Sequence, residues 1–98
     1  MTRFLLRYRA IDVEFSKATF VVGRSPLCDL VLDDELVSRK HAVFRVSDRG
    51  VEVEDLGSRN GVRVNGNKVS ASTGLEHGDL IRIGSQELVL KVVSAVSN

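Results

Sequence analysis

The feature that most constrains the fold is an alternation of apolar and polar residues with a period of two. In "RFLLRYR", Phe4, Leu6 and Tyr8 share one face, and three arginines share the other. The stretches "HAVFRV", "VEVE" and "ELVLKVV" repeat this pattern. Side chains on a β-strand point alternately to opposite faces, so each stretch predicts a half-buried strand. No stretch has a convincing helical period, and the chain is therefore predicted to be all-β.

Short turns separate these predicted strands. Asn65-Gly66 lies between "VRV" and "KV", and this dipeptide favours the positive φ angles of a two-residue hairpin turn. Gly84-Ser85 separates "DLIRI" from "ELVLKVV" in a similar way. About nine to eleven short strands fit between the turns, which indicates a sandwich or barrel of antiparallel sheets.

Length and charge limit the possible functions. The 98 residues suffice for one domain, which we place at residues 1–93, with a tail or the start of a linker at 94–98. The net charge of +1 does not favour a nucleic-acid or membrane surface. The row Arg3, Arg7 and Arg9 is interpreted as the solvated face of a first strand, opposite a Glu-bearing strand. Cys28 is the only cysteine, and we expect a reduced, cytoplasmic domain with this thiol buried.

Polar residues interrupt the alternation in three loops, "GRSPLCD", "LVSRKH" and "DLGSRNG". Two of these loops follow predicted strands and one precedes a strand, so an antiparallel sandwich can place all three at one end. Arginine forks and hydroxyl donors there would suit a phosphate dianion. An anion site and an ordinary polar loop end both remain open on this pattern alone. The residues concerned are Arg24, Ser38, Arg39, Lys40, Ser58, Arg59 and Asn60.

The sequence also suggests two other kinds of site. Ser38 and His41 invite a nucleophile–base pair, but no third residue is placed to orient the imidazole. The acidic run 33–35 suggests calcium, but no series of alternating oxygen ligands follows it, and a solvated turn is preferred. We therefore predict no catalytic residue, no metal site and no cofactor.

The three loops, in this order, resemble the forkhead-associated (FHA) domain. The matching segments are "GRSPLCDLVLDD", "VSRKHAVF", "VEVEDLGSRNGVRVNG" and "GLEHGDLIRIG". The combination of Gly-Arg, Ser-x-x-His and Asn-Gly at these separations is highly specific. The resemblance implies an eleven-stranded antiparallel β-sandwich, FHA/SMAD-like, that binds phosphothreonine peptides without catalysis. Its implied partners are a threonine-phosphorylated protein or peptide and a Ser/Thr kinase that acts upstream.

The resemblance also implies a role for individual residues of these loops. Arg24 and Ser38 would bind the phosphate, and Arg39 would add a cationic or backbone contact. Asn60 would hold the backbone of the bound peptide. Leu36 would contact the residue three positions after the phosphothreonine, and we expect an apolar preference there.

Three further residues have architectural roles in the resemblance. Gly23 would permit the turn that aims Arg24, and Gly61 would permit the tight turn after Asn60. His41 would brace the loops from within. A fourth residue, Lys40, would contribute only peripheral charge.

The sequence departs from the family pattern at Arg59, where threonine is common. Arg59 would either add a charge to the phosphate or contact an acidic residue of the peptide, and both remain open. Ser58 is predicted to contact the peptide beside it. The alternative function is a structural or oligomerisation domain that binds its partner independently of phosphate. Its candidate surface consists of Val43, Val89 and Val93, which we expect to be exposed.

Overall fold

A computed structural model describes residues 2–94 of the chain. The described residues form eleven β-strands, the upper end of the expected range. In chain order they are β1 Thr2–Tyr8, β2 Ile11–Phe15, β3 Thr19–Gly23, β4 Leu30–Val31, β5 Ala42–Ser47, β6 Gly50–Asp55, β7 Val62–Val64, β8 Asn67–Lys68, β9 Thr73–Leu75, β10 Leu80–Ile83 and β11 Gln86–Ser94.

The strands form two sheets, which confirms the predicted all-β sandwich. One sheet has six strands in the order β2-β1-β11-β10-β7-β8, and the other has five in the order β4-β3-β5-β6-β9. One strand pair departs from the antiparallel prediction, because β3 and β4 run parallel, with Val22 opposite Leu30. The Asp29 carboxylate accepts a hydrogen bond from the Val21 amide, and this contact holds the returning chain beside β3.

The core lies between the sheets and uses the apolar face that the alternation predicts. Leu6, Ile81 and Leu90 of the six-stranded sheet are fully buried, as are Phe44 and Val53 of the five-stranded sheet. Each such side chain contributes roughly 1.5–3 kcal/mol of burial energy. A register slip of one residue would turn a whole strand's apolar set towards water, so the core specifies the register.

The outer face of the six-stranded sheet carries the arginines of β1 in ion pairs. Arg3 donates two hydrogen bonds to Glu14 of β2, and Arg7 donates two to Asp12. These contacts hold the pKa of each carboxyl below its ordinary value. The interpretation of a solvated arginine face opposite an acidic strand agrees with this arrangement. Arg9 lies in the following turn, with its guanidinium 5.1 Å from the Tyr8 ring centroid.

The expected exposure of Val43 is wrong. Val43 is only 3% exposed, although it lies on the outer face of the five-stranded sheet. Its strand, β5, is the central strand, and Val43 sits between Val21 of β3 and Glu54 of β6. Side chains on both sides therefore cover it. Val89 is half-buried, and Val93 is 41% exposed.

Both predicted hairpins are present. Asn65 and Gly66 have φ angles of 51° and 88°, and they connect β7 to β8. Gly84 and Ser85 connect β10 to β11. Of the predicted tail at residues 94–98, Ser94 is the last residue of β11 and the rest lies outside the described residues. Within residues 2–94, no helix is long and apolar enough to cross a membrane.

Candidate functional site

The three polar loops lie together at one end of the sandwich. They comprise residues 24–29, 32–41 and 56–61, and we call this region the three-loop end. Strands β3 and β6 end here and β5 begins here, as the pairings Val22–Ala42 and Ala42–Asp55 require. The first two loops are joined by backbone hydrogen bonds, from the Arg24 amide to the Ser38 carbonyl at 3.0 Å and from the Ser25 amide to the Arg39 carbonyl at 3.1 Å.

His41 connects the second and third loops from inside the protein. Its side chain is fully buried, and Nδ1 accepts a hydrogen bond from the Ser38 amide at 3.0 Å. Since Nδ1 accepts an N–H, the ring proton lies on Nε2, which donates to the Gly61 carbonyl at 2.8 Å. The imidazole therefore links the second loop to the third through two backbone groups.

The same contacts bear on the nucleophile–base alternative. Both ring nitrogens of His41 are hydrogen-bonded to backbone groups, namely the Ser38 amide and the Gly61 carbonyl. The Ser38 hydroxyl instead accepts a hydrogen bond from the Arg59 amide at 3.0 Å. Neither nitrogen is therefore placed to take a proton from Ser38 Oγ, which disfavours that alternative.

Ser38 presents a hydroxyl at the junction of the second and third loops. Its Oγ accepts the Arg59 amide, so this contact orients the oxygen without using its own hydrogen. A hydroxyl can donate one hydrogen bond while it accepts others. Ser38 is half-buried, and its hydrogen remains available to an anion that approaches from solvent.

Arg24 and Arg39 line a cleft with Ser25 and Pro26, with a volume of about 330 Å³. The Nε of Arg24 donates to the Val37 carbonyl at 3.0 Å, which fixes the guanidinium against the second loop. The terminal nitrogens, Nη1 and Nη2, can still form two parallel hydrogen bonds to a phosphate. Both arginines are exposed, so an anion reaches them directly from solvent.

Asn60 reaches from the third loop to the second loop. Its Nδ2 donates to the Leu36 carbonyl at 2.8 Å. The second hydrogen on Nδ2 and the oxygen Oδ1 can therefore pair with a peptide backbone, which needs both a donor and an acceptor. Leu36 itself is 49% exposed.

The third loop is shaped by Ser58 and Gly61. The Ser58 hydroxyl accepts the Gly61 amide at 2.9 Å, and the Ser58 amide donates to Asp55 at 2.7 Å. Gly61 has a φ of 80°, which suits glycine and agrees with the expected tight turn after Asn60. Ser58 thus supports the turn, and Arg59 at its tip is exposed.

The structure gives a different reason for a glycine at position 23 from the turn that the sequence predicted. Its φ is not among the positive values, so no left-handed turn requires a glycine there. A Cβ at this position would instead overlap the Arg39 carbonyl and approach the Cys28 sulfur. The glycine therefore allows the first and second loops to touch. The half-buried Cys28 Sγ contacts the same carbonyl at 3.1 Å, and burial raises the pKa of the Cys28 thiol.

Sequence reasoning missed the role of Asp34, which was interpreted as part of a solvated turn. Its carboxylate accepts hydrogen bonds from the amide and hydroxyl of Ser85, from Gln86 Nε2 and from the Leu36 amide. These bonds hold the pKa of Asp34 far below its ordinary value. Gln86 in turn accepts the Tyr8 hydroxyl at 2.9 Å. Asp34 thereby fastens the loop that carries Leu36 to the β10–β11 turn.

Comparisons with known proteins agree with this geometry. A family model of the FHA domain matches residues 20–84. The oxoglutarate dehydrogenase inhibitor of Corynebacterium glutamicum is 45% identical over 71 residues, which are 72% of this chain and 49% of that protein. The chain spans about half the length of the curated relatives that it matches.

Solved structures share the fold over nearly the whole chain. One comes from a structural and functional analysis of phosphothreonine-dependent FHA domain interactions. It has a TM-score of 0.85 at 27% identity and covers 91% of this chain and 95% of its own. Another is EmbR of Mycobacterium tuberculosis in complex with a low-affinity phosphopeptide. It has a TM-score of 0.90 at 28% identity and covers 98% of this chain and 26% of its own.

The family model covers the three-loop end, the five-stranded sheet from residue 20 onwards, and three strands of the six-stranded sheet. Since it matches more than half of the residues, and since the fold agrees, the chain belongs to the FHA domain family.

Proposed function

We propose that this domain binds phosphothreonine-containing segments of partner proteins at the three-loop end. The observation that carries the proposal is the convergence of Arg24, Ser38, Arg39 and Asn60, which come from three separate loops, at one end of the sandwich. The phosphopeptide bound to EmbR and the phosphothreonine-dependent interactions studied in another FHA domain support the same ligand class.

In this arrangement the phosphate can accept hydrogen bonds from charged guanidinium groups and from a neutral hydroxyl. Arg24 supplies its terminal nitrogens, because Nε is already bonded to the Val37 carbonyl. Ser38 donates its hydroxyl hydrogen, because the Arg59 amide orients the oxygen. Arg39 adds positive charge across the cleft. A phosphorylated side chain carries about −1.5 to −2 charges at neutral pH, so it gains from all three at once.

The rest of the peptide is held by Asn60 and Leu36. Asn60 pairs with the peptide backbone through the amide groups that Leu36 does not use. The exposed Leu36 side chain then packs against the residue three positions after the phosphothreonine, and it favours an apolar residue there. An oriented peptide library that selects acidic residues at this position contradicts the role of Leu36.

Arg59 sets a further preference in the peptide. Its backbone amide donates a hydrogen bond to the Ser38 hydroxyl, so its exposed side chain leaves the backbone beside the proposed phosphate position. Of the two roles that the sequence left open, we propose the contact with an acidic residue of the peptide. Arg59→Thr should weaken binding of a peptide with a flanking glutamate about threefold, as for one exposed ion pair, and leave its glutamine counterpart unchanged. Equal loss for both peptides indicates a phosphate contact instead.

The proposed activity is binding without catalysis, in the cytoplasm and downstream of a Ser/Thr kinase. The kinase is needed because the ligand exists only after a threonine has been phosphorylated. No cofactor takes part in the binding.

Titration calorimetry with three forms of one peptide tests the proposal. The phosphothreonine form should bind, the phosphoserine form should bind about fourfold more weakly for want of one methyl group, and the unphosphorylated form should not bind. Arg24→Ala should weaken binding about 30-fold or more, because it removes charge-assisted hydrogen bonds from an exposed loop. Arg49→Ala, an exposed arginine in the β5–β6 turn, is the control. Equal binding of all three peptides refutes the proposal.

A further inference from the structure

A row of three cations crosses the outer face of the six-stranded sheet, away from the arginines of β1. Arg82 of β10 lies directly opposite Arg63 of β7, and Arg63 lies directly opposite Lys68 of β8. We call these three residues the cationic row. On its other side, Arg82 faces Glu87 of β11.

The cationic row carries more positive charge than its neighbours neutralise. Arg82 and Glu87 approach only to 3.6 Å, and Arg63 donates to the Gly66 carbonyl at 3.2 Å. By contrast, Arg3 and Arg7 on the same face each form two hydrogen bonds to one carboxylate. Like charges directly opposite each other on neighbouring strands destabilise a sheet. This arrangement therefore works against folding unless an anion binds there.

An apolar floor adjoins the cationic row. Leu80 and Val89 are cross-strand partners on the same outer face, and both are half-buried. A cleft of about 290 Å³ opens beside Leu80 and is lined by Arg63, Gly66, Leu80, Arg82 and Glu87. Leu80 offers one aliphatic side chain an apolar contact in this cleft, and Arg63 and Arg82 line the same cleft.

We propose that this surface docks an acidic segment of a partner protein, with carboxylates on the cationic row and an aliphatic side chain against Leu80. Charge complementarity selects the occupant, because an acidic segment neutralises the row. A second copy of this chain would instead bring two cationic rows towards each other. The surface shares no residue with the proposed phosphate ligands. It borders the third loop, because a Cβ built on Gly61 would lie 3.5 Å from Cε of Lys68.

Nuclear magnetic resonance titration tests the proposal with an unphosphorylated synthetic peptide in which glutamates flank a single leucine. The amides of Arg63, Leu80, Arg82 and Val89 should shift, and added salt should weaken the effect. A matched peptide with glutamine in place of every glutamate should leave them unchanged. Binding of the glutamine peptide to the same extent, or shifts confined to the three-loop end, overturns the proposal.

Charge-matched variants separate the docking surface from the phosphate site. Arg63→Gln with Arg82→Gln should weaken the glutamate peptide about fivefold, as for two exposed ion pairs. Arg3→Gln with Arg49→Gln removes the same charge elsewhere and should change binding less than about twofold. The first pair should leave phosphothreonine binding intact, and Arg24→Ala should leave glutamate-peptide binding intact. Loss of both bindings in either variant overturns the separation of the two sites.

A membrane is the other surface that a cationic sheet face can meet. Vesicles of phosphatidylcholine with phosphatidylserine provide that arm of the experiment. We expect the glutamate peptide to bind and the vesicles to leave the amide resonances of the cationic row unshifted. Binding to the vesicles without binding to the peptide assigns the surface to anionic lipid and overturns the proposal.

Discussion

Replacing His41 by alanine separates the bracing of the loops from the folding of the sandwich. The imidazole joins the Ser38 amide of the second loop to the Gly61 carbonyl of the third loop. Alanine removes both connections and the volume of a fully buried ring. The change therefore affects stability and the relative positions of Ser38 and Asn60 together.

The expected loss of unfolding free energy is about 3–5 kcal/mol. Each hydrogen bond of His41 ends on a part-buried backbone group, and its loss costs about 1–1.5 kcal/mol. The cavity left by the ring adds about 1–2 kcal/mol. His41→Asn keeps an acceptor near the position of Nδ1 and should cost about half as much. This variant keeps the prediction measurable if His41→Ala does not fold.

Urea unfolding and peptide titration measure the two consequences. At a slope of about 1.5 kcal/mol per M, the urea midpoint of His41→Ala should fall by about 2–3 M. His77→Ala is the control, because His77 is exposed and its Nδ1 accepts only the Val92 amide. Phosphothreonine binding should weaken in His41→Ala even where the protein remains folded. A midpoint loss no larger than that of His77→Ala, or unchanged binding by folded His41→Ala, refutes the reasoning.

Three further substitutions test individual contacts. Gly23→Ala should lower both the thermal midpoint and phosphopeptide affinity, because the added methyl overlaps the Arg39 carbonyl; unchanged affinity contradicts this. The stability advantage of Asp34 over Asp34→Asn should be full above about pH 5. It should disappear as the pH falls through the lowered folded-state pKa of Asp34, as followed by urea unfolding; a pH-independent difference contradicts this. Gly66→Ala should cost about 1 kcal/mol in urea unfolding, since its φ of 88° is strained for alanine although nothing lies within 4 Å; a neutral result contradicts the assigned turn.

Local patterns explain why the strands and hairpins could be predicted. Burial of Leu6, Leu88 and Leu90 follows from alternation within single strands, and the turn at Asn65-Gly66 follows from the φ preferences of two residues. These properties depend on neighbours in sequence. They require no knowledge of which strands pair.

The missed features depend on residues that are distant in sequence. Val43 is buried because β3 and β6 flank its strand, and the alternation alone cannot distinguish a central strand from an edge strand. Asp34 bonds to Ser85 and Gln86, more than fifty residues away, so its surroundings in sequence suggested only a solvated turn. The parallel pairing of β3 with β4 involves two residue pairs, which is too short to produce a periodic pattern in the sequence.

The departure at Arg59 leaves the backbone geometry of the candidate site unaffected. The contact that orients the Ser38 hydroxyl comes from the backbone amide of Arg59, and the Ser58–Gly61 hydrogen bond shapes the turn around it. Any residue other than proline supplies that amide, so the geometry of Ser38 does not depend on the side chain at position 59. In the proposed complex, the side chain is therefore free to determine which peptides are preferred, while the backbone amide keeps the Ser38 hydroxyl oriented for the phosphate.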